Sequence, residues 1–334
     1  MGIDISDDSI HFMELKQKGS HFKIGHYGLE KLPNGVVEDG FIRDNQKLVA
    51  ALSKIKSSTG TRLVKASLPE EKSYLFRTTL PMMKDEEIHS ALRFKIEENV
   101  PLALSEAVFD HCIIGSDSSE KNLDLSVTVV HKKVVEGYLE ALKSAGFSPL
   151  ELQIESQAMS HAAVPYEDKG VHIVVSMRET KTVLSIVSAG EVQFTSTIHL
   201  GNKEIFSALK KNLNMQNDQV ENIIEGKENQ NGNDIFLSLV SALSALRDEI
   251  EKLVIFWTEH WKDYGGAEAV DSIIVSGGDS LLDFDNYFSR SLNIKTVVAD
   301  PWNNVFNVKD AVPELSLREA LDYLPAIGLA LPYE

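Results

Sequence analysis

The sequence predicts an α/β chain in which one unit is used twice, with a small α+β insert in the first copy. Three observations carry this. Met1 to Leu15 reads as strand, tight polar turn and strand: Ile3 and Ile5 alternate with Asp4, Asp7-Asp8-Ser9 supply turn chemistry, and Ile10 to Leu15 resume an apolar run. The same theme returns about 170 residues later, with strand Val171–Val175, polar turn Ser176–Lys181 and strand Thr182–Val187. Between the copies the order of strands and helices changes. A chain of 334 residues also exceeds one ordinary core, so two or more domains are expected.

Each element follows from local pattern. Phe22 to Leu29 reads as a third strand, and Pro33-Asn34-Gly35 as a turn. Asp44 is placed to N-cap a helix with Leu48, Val49, Leu52 and Ile55 on one face, and Leu63 to Leu68 reads as a buried strand. In the insert, strand Tyr74–Leu80 stops at Pro81, and Asp85 caps a helix carrying Ile88, Leu92 and Ile96. Strands Val108–Ile114 and Leu123–Val130 follow, then a helix from about Val134 to Ser144, closed by Gly146. In the second copy Val192 to Leu200 is the third strand and 203 to 212 a helix. Residues 213 to 233 read as loop or weak helix, and Ile235 to Trp261 as one long amphipathic helix. Strand Ile273–Val275 runs into Ser276-Gly277-Gly278, and a helix (Asp283–Leu292), a strand (Lys295–Ala299) and a last helix (Leu317–Leu331) finish the chain. The expected domains are 1–70, the insert 71–150, a return over 151–168, and 169–334 with a helical sub-domain at about 213–265.

Composition narrows the function classes. The 33 Lys+Arg against 50 Asp+Glu give a net charge of −17, which disfavours nucleic acid and anionic lipid as direct partners. No apolar run approaches about 18 residues and no signal-peptide pattern opens the chain, so a cytoplasmic protein without direct membrane insertion is expected. The single Cys112 excludes an intramolecular disulfide, and its apolar neighbours predict a buried position. The ten histidines show no metal-ligand spacing. Ser53-Lys54-Ile55-Lys56 has SxxK spacing but lies on an ordinary amphipathic helix, and Trp257 and Trp261 read as core and edge packing.

A duplicated unit opened each time by a phosphate-type hairpin suggests the actin-like ATPase fold, with its duplicated ribonuclease-H-like domains. The chain resembles more specifically the PilM family of type IV pilus inner-membrane assembly proteins, relatives of the cell-division protein FtsA. The resemblance rests on Gly2-Ile3-Asp4-Ile5, Leu32 to Gly40, Phe76-Arg77-Thr78-Thr79-Leu80-Pro81, Glu97 to Pro101, Ala145 to Pro149, Asp248 to Lys252, Ile274 to Gly278 and Ala326 to Leu331, in that order.

That resemblance implies site residues. Asp4 matches the acid that reaches magnesium through water, but the family glycine is Ser6 here and the phosphate-facing lysine is His11. A Cβ intrudes where backbone must meet phosphate, and Asp7 and Asp8 are expected to present two carboxylates to a polyanion. In the second turn the metal-directing acid is Ser176 and the glycine Arg178. Glu249 and Lys252 match ribose-binding positions, and Gly277 and Gly278 the turn that admits the purine; a solvated ion pair and a tight βα turn are the competing structural readings.

The expectation is therefore a scaffold that is not an enzyme, or only a feeble ATPase, with ATP and magnesium as its only candidate cofactors. It would bind the cytoplasmic N-terminal tail of a PilN-like membrane protein, beside other inner-membrane platform proteins of the pilus. The alternative is an ATP-binding relative whose nucleotide state controls partner affinity. A tail groove between the first domain and its insert should be framed by Tyr74–Leu80 and helix Asp85–Glu98, with Phe76, Leu92 and Ile96 as pocket formers.

Overall fold

Two five-stranded sheets with the same strand order organise the chain in the computed structural model, which describes residues 1–19, 21–116, 121–224, 232–264, 267, 269–277, 284–306 and 313–332. The first sheet begins with strands β1 (Gly2–Ile5), β2 (Ser9–Lys18) and β3 (His21–Lys31). A two-stranded ribbon, β4 (Val37–Glu38) and β5 (Phe41–Ile42), leads into helix α1 (Asn45–Thr59). Asp44 caps that helix as expected, its carboxylate accepting the Lys47 N–H at 3.1 Å. Strand β6 (Leu63–Leu68) follows.

The insert contributes β7 (Ser73–Pro81), α2 (Asp85–Asn99), β8 (Ala107–Ser116) and β9 (Asn122–His131). These strands form a separate sheet in the order β7-β9-β8. Helix α3 (Lys132–Ser144), read from the sequence as part of the insert, instead buries Val134, Tyr138, Ala141 and Leu142 in the core of the first sheet. Its apolar stripe matches α1, and both helices cover the same sheet face. Strand β10 (Ser148–Ile154) and helix α4 (Glu155–Ala163) complete this stretch. The first sheet has the order β3-β2-β1-β6-β10, with β1, β6 and β10 parallel.

The second sheet is built from β11 (Val171–Met177), β12 (Thr182–Ser188), β13 (Glu191–Ile198), then β14 and β15 after a helical stretch. Helices α5 (Asn202–Asn212), α6 (Asn217–Ile224) and α7 (Gly232–His260) precede β14 (Ser272–Ser276), α8 (Phe284–Leu292) and β15 (Thr296–Val298). The order β13-β12-β11-β14-β15 repeats the first sheet position for position, so the duplication is one of topology. Every residue of β11 and β12 is buried, which is why both strands read as near-continuous apolar runs.

The expected last helix is two, α9 (Leu317–Asp322) and α10 (Leu324–Ala330). Pro325 lacks an N–H to continue α9 but suits the first turn of α10. Gly328 lets α10 touch α4, since a Cβ there would stand 1.7 Å from the Ala158 carbonyl oxygen.

By contacts the chain divides into two units, Met1–Ala158 with Gln193–Thr195 and Pro325–Glu334, and Met159–Val192 with Ser196–Leu324. Among the described residues no helix is long and apolar enough to cross a membrane.

Candidate functional site

The first hairpin fixes Asp4. It lies in β1 opposite His11 of β2 and is 1% exposed. The turn beyond it is closed by its own groups: the Ser6 N–H donates to the Ser9 carbonyl at 2.9 Å, and the Ser6 hydroxyl donates to Asp8 Oδ1 at 2.8 Å. Asp7 does not face an incoming anion as expected. Its carboxylate accepts the Asp39 N–H at 3.1 Å and the Gly40 N–H at 3.2 Å. Those residues have φ of 48° and 73°, and two successive left-handed residues aim their N–H groups into a common concavity that holds an anion. Here the anion is a side chain of the protein.

Two further acids share this end of the first sheet, and the sequence reading missed them. Glu70 follows β6 and is 3% exposed; Glu155 follows β10 and is 4% exposed. With Asp4 they place three buried carboxylates at the carboxyl ends of three adjacent parallel strands. Burial pushes the Glu70 carboxyl up, Glu155 adds to this, and hydrogen bonds from Ser156 and Thr195 oppose it. Burial likewise raises the Tyr138 hydroxyl, reinforced by Glu71, Asp7, Asp4 and Glu155. The signal was available: an acid within two residues of the end of each strand.

The second hairpin is arranged differently. Ser176 is buried at the end of β11, beside Ser276 of β14. The turn carbonyls of Arg178 and Glu179 accept the N–H groups of Asn202 and Lys203, each at 2.9 Å, so the first turn of α5 docks on this turn. Gly277 has φ of 111°, and a Cβ there would lie 2.3 Å from the Met177 carbonyl oxygen. Sheet packing alone therefore requires that glycine. Gly278 lies outside the described residues. Glu249 and Lys252 form an exposed pair on α7, with Lys252 Nζ 2.6 Å from Glu249 Oε1. The Glu249 carboxylate raises the Lys252 ammonium pKa. Trp257 is core, its indole N–H donating to the Ala267 carbonyl at 2.9 Å.

The insert corrects the expected groove. Residues alternate across a strand, so Leu123, Leu125, Val127 and Val129 of β9 face α2 together with their neighbours Phe76 and Leu80 of β7. Leu92 and Ile96 of α2 are 0% exposed in that core, and Phe76 is half-buried against it. None of the three can frame a groove toward the rest of the unit, because the sheet stands between. The opposite face carries Leu75, Arg77, Ser126 and Thr128, and Val130 enters the first core from it. Arg77 donates to Gln193 Oε1 at 2.9 Å, and Gln157 Nε2 donates to Thr128 Oγ1 at 3.3 Å. Cys112, expected to be buried, is exposed on the same face at the edge strand β8, where no further strand among the described residues covers it.

Comparison with known proteins completes this picture. A family model described as type IV pilus assembly protein PilM matches residues 2–333. The solved structure of a PilM-PilN type IV pilus biogenesis complex superposes with a TM-score of 0.80 at 20% identity, covering 98% of this chain and 96% of that one. The ethanolamine utilization protein EutJ from Carboxydothermus hydrogenoformans gives 0.51 at 14% identity, over 98% and 88%. MreB5 of Spiroplasma citri bound to ADP gives 0.50 at 11% identity, over 91% and 92%. The fold is actin-like, and at these identities the likeness speaks for the fold alone.

Proposed function

The chain belongs to the family of type IV pilus assembly proteins PilM, and from that membership we propose that it is an actin-like scaffold of a pilus assembly platform. In this reading it works on the cytoplasmic side of the inner membrane, held there by partners, and binds the N-terminal tail of a PilN-like membrane protein. The likeness to the PilM-PilN complex supports the choice of partner. The tail docks at the margin where the face of the insert sheet opposite α2 meets the rest of the unit, beside the contacts that Arg77 and Thr128 already make with Gln193 and Gln157. The edge strand β7 offers main-chain hydrogen bonds to an extended segment.

Nucleotide turnover is not part of this proposal. The observation that carries this is the closed first turn: the Ser6 N–H and hydroxyl, which a phosphate would need, are engaged by Ser9 and Asp8. The residues present do not fit a triphosphate, although Asp4 retains the place of a magnesium-directing acid. That one retained acid favours the second reading, ATP binding without efficient hydrolysis. Titration calorimetry with Mg-ATP separates the two: no saturable heat is expected, and micromolar binding would put the second reading first.

A further inference from the structure

The two ends of the first sheet differ in charge. Its carboxyl end holds Asp4, Asp7, Glu70 and Glu155. At its amino end β1, β6 and β10 begin, β2 finishes and β3 starts, and α1 and α3 terminate just before β6 and β10. Side chains tie these ends into one surface. Thr61 Oγ1 donates to Glu14 Oε1 at 3.0 Å, Arg62 Nε donates to Ser148 Oγ at 3.0 Å, and a Cβ at Gly146 would lie 3.9 Å from Lys56 Cγ.

In a chain of net charge −17, five cations gather here: Lys16, Lys23, Lys56, Arg62 and Lys143. All but the half-buried Lys56 are exposed. Lys16 and Lys23 stand directly opposite across the β2–β3 ladder, where like charges repel. The acids at this end are already engaged, Glu14 by Lys16 at 3.2 Å and His26 at 2.8 Å, Glu151 by Lys65 at 3.6 Å. Glu140 stands one turn back on α3. Among the described residues no carboxylate pairs with Lys23, Lys56, Arg62 or Lys143. Two leucines lie among the cations, Leu63 53% exposed and Leu150 65% exposed. Leu63 opens β6 opposite Ser148, and Leu150 falls where the register shifts between Pro149 and Glu151. That irregularity and Pro149 blunt the edge strand β10 against a further strand, so strand addition does not account for the exposed leucine.

We propose that this end of the first unit rests on an anionic lipid surface. The cations attract the headgroups, and Leu63 and Leu150 enter the boundary between headgroups and acyl chains, the combination by which proteins lie on a membrane without crossing it. The cations are spread over the ends of several elements instead of converging on one point, which suits a field of headgroups better than a single acidic side chain. Net charge, which disfavours lipid when read from composition, does not decide at contact. The potential of an anionic leaflet fades within a Debye length of about 8–10 Å. The six residues of β6 alone span about 20 Å, so the leaflet meets the basic end while the acids stay beyond its reach. This contact adds to the tail-binding role proposed above and does not depend on it.

Co-sedimentation of the full chain with phosphatidylcholine vesicles, with and without about one-third phosphatidylglycerol, tests this. The chain should pellet with the anionic vesicles and not with the neutral ones, and binding should fall about tenfold or more as NaCl rises from about 0.1 M to about 0.5 M. Arg62→Glu/Lys143→Glu should weaken binding about tenfold or more, and Leu150→Ser about threefold. Should the double variant fail to fold, Lys23→Glu on the exposed edge strand β3 takes its place. No pelleting, equal binding to neutral vesicles, or unchanged binding in the variants would overturn the proposal. Saturable binding of a labelled hexaglutamate peptide without vesicle binding would overturn it too, in favour of an acidic protein partner. The vesicles carry no tail peptide, so either result leaves the tail-binding reading to its own test.

Discussion

The Asp7 carboxylate accepts the Gly40 backbone N–H at 3.2 Å, with Asp39 bound beside it at 3.1 Å, so an acid of the first hairpin fills an anion-binding turn of the protein's own. This contact joins the β1–β2 turn to the β4–β5 ribbon without any ligand.

Removing the carboxylate should therefore act on stability. Asp7→Ala leaves two N–H groups without their charged acceptor and should lower unfolding free energy by about 1–3 kcal/mol in urea titrations. Asp7→Asn should recover part of the loss. If neither substitution moves the midpoint, the turn does not depend on Asp7.

Leu92 is buried under the insert sheet with Ile88, Ile96 and Val127. Leu92→Ala should cost about 2–5 kcal/mol through the cavity it leaves, while a folded sample keeps its affinity for the tail peptide. Arg77→Ala should do the reverse, weakening the peptide with a small effect on stability. Equal effects of the two on affinity would return the groove to the α2 side.

Gly277→Ala separates a packing role from a ligand role. The backbone at φ 111° and the Met177 carbonyl oxygen 2.3 Å from an added Cβ predict a loss of about 2 kcal/mol or more in ligand-free protein. An unchanged melting temperature would mean that the glycine is not required by the sheet.

Much of this was legible in the sequence, for physical reasons. Strand alternation at Ile3-Asp4-Ile5, the Asp44 cap and the buried run at Val171 are local signals, and they gave the duplicated fold. What was not legible depends on long-range pairing. Leu92 and Ile96 have helical spacing that reveals a buried face but not which side of a three-stranded sheet receives it. Cys112 has the apolar neighbours of a core residue, yet β8 is an edge, and no local pattern marks an edge. Asp7 read as a carboxylate presented to a polyanion because the turn whose N–H groups donate to it lies more than thirty residues away.

Glu14 gives the chain an acid-sensitive element. Burial alone would raise its carboxyl, but hydrogen bonds from the His26 N–H and ring, Lys16 and Thr61 bring it down to about 2. A carboxyl depressed in the folded state stabilises above its unfolded value near 4.5, and that contribution fades as pH falls from there toward about 2. After allowing for the water that reaches Lys16 and His26, its size is about 1–2 kcal/mol. Glu14→Gln should show that deficit at pH 7 and converge with the native chain near pH 2–3, as read from urea unfolding across pH. A constant difference over that range would remove the assignment.

The most direct measurement is fluorescence anisotropy of a labelled N-terminal tail peptide from the PilN-like partner, titrated with the full chain with and without Mg-ATP. Saturable binding with the same dissociation constant in both conditions, weakened by Arg77→Ala, is the predicted result. Absence of binding, or binding that appears only with Mg-ATP, would contradict a scaffold that works through its insert and without nucleotide.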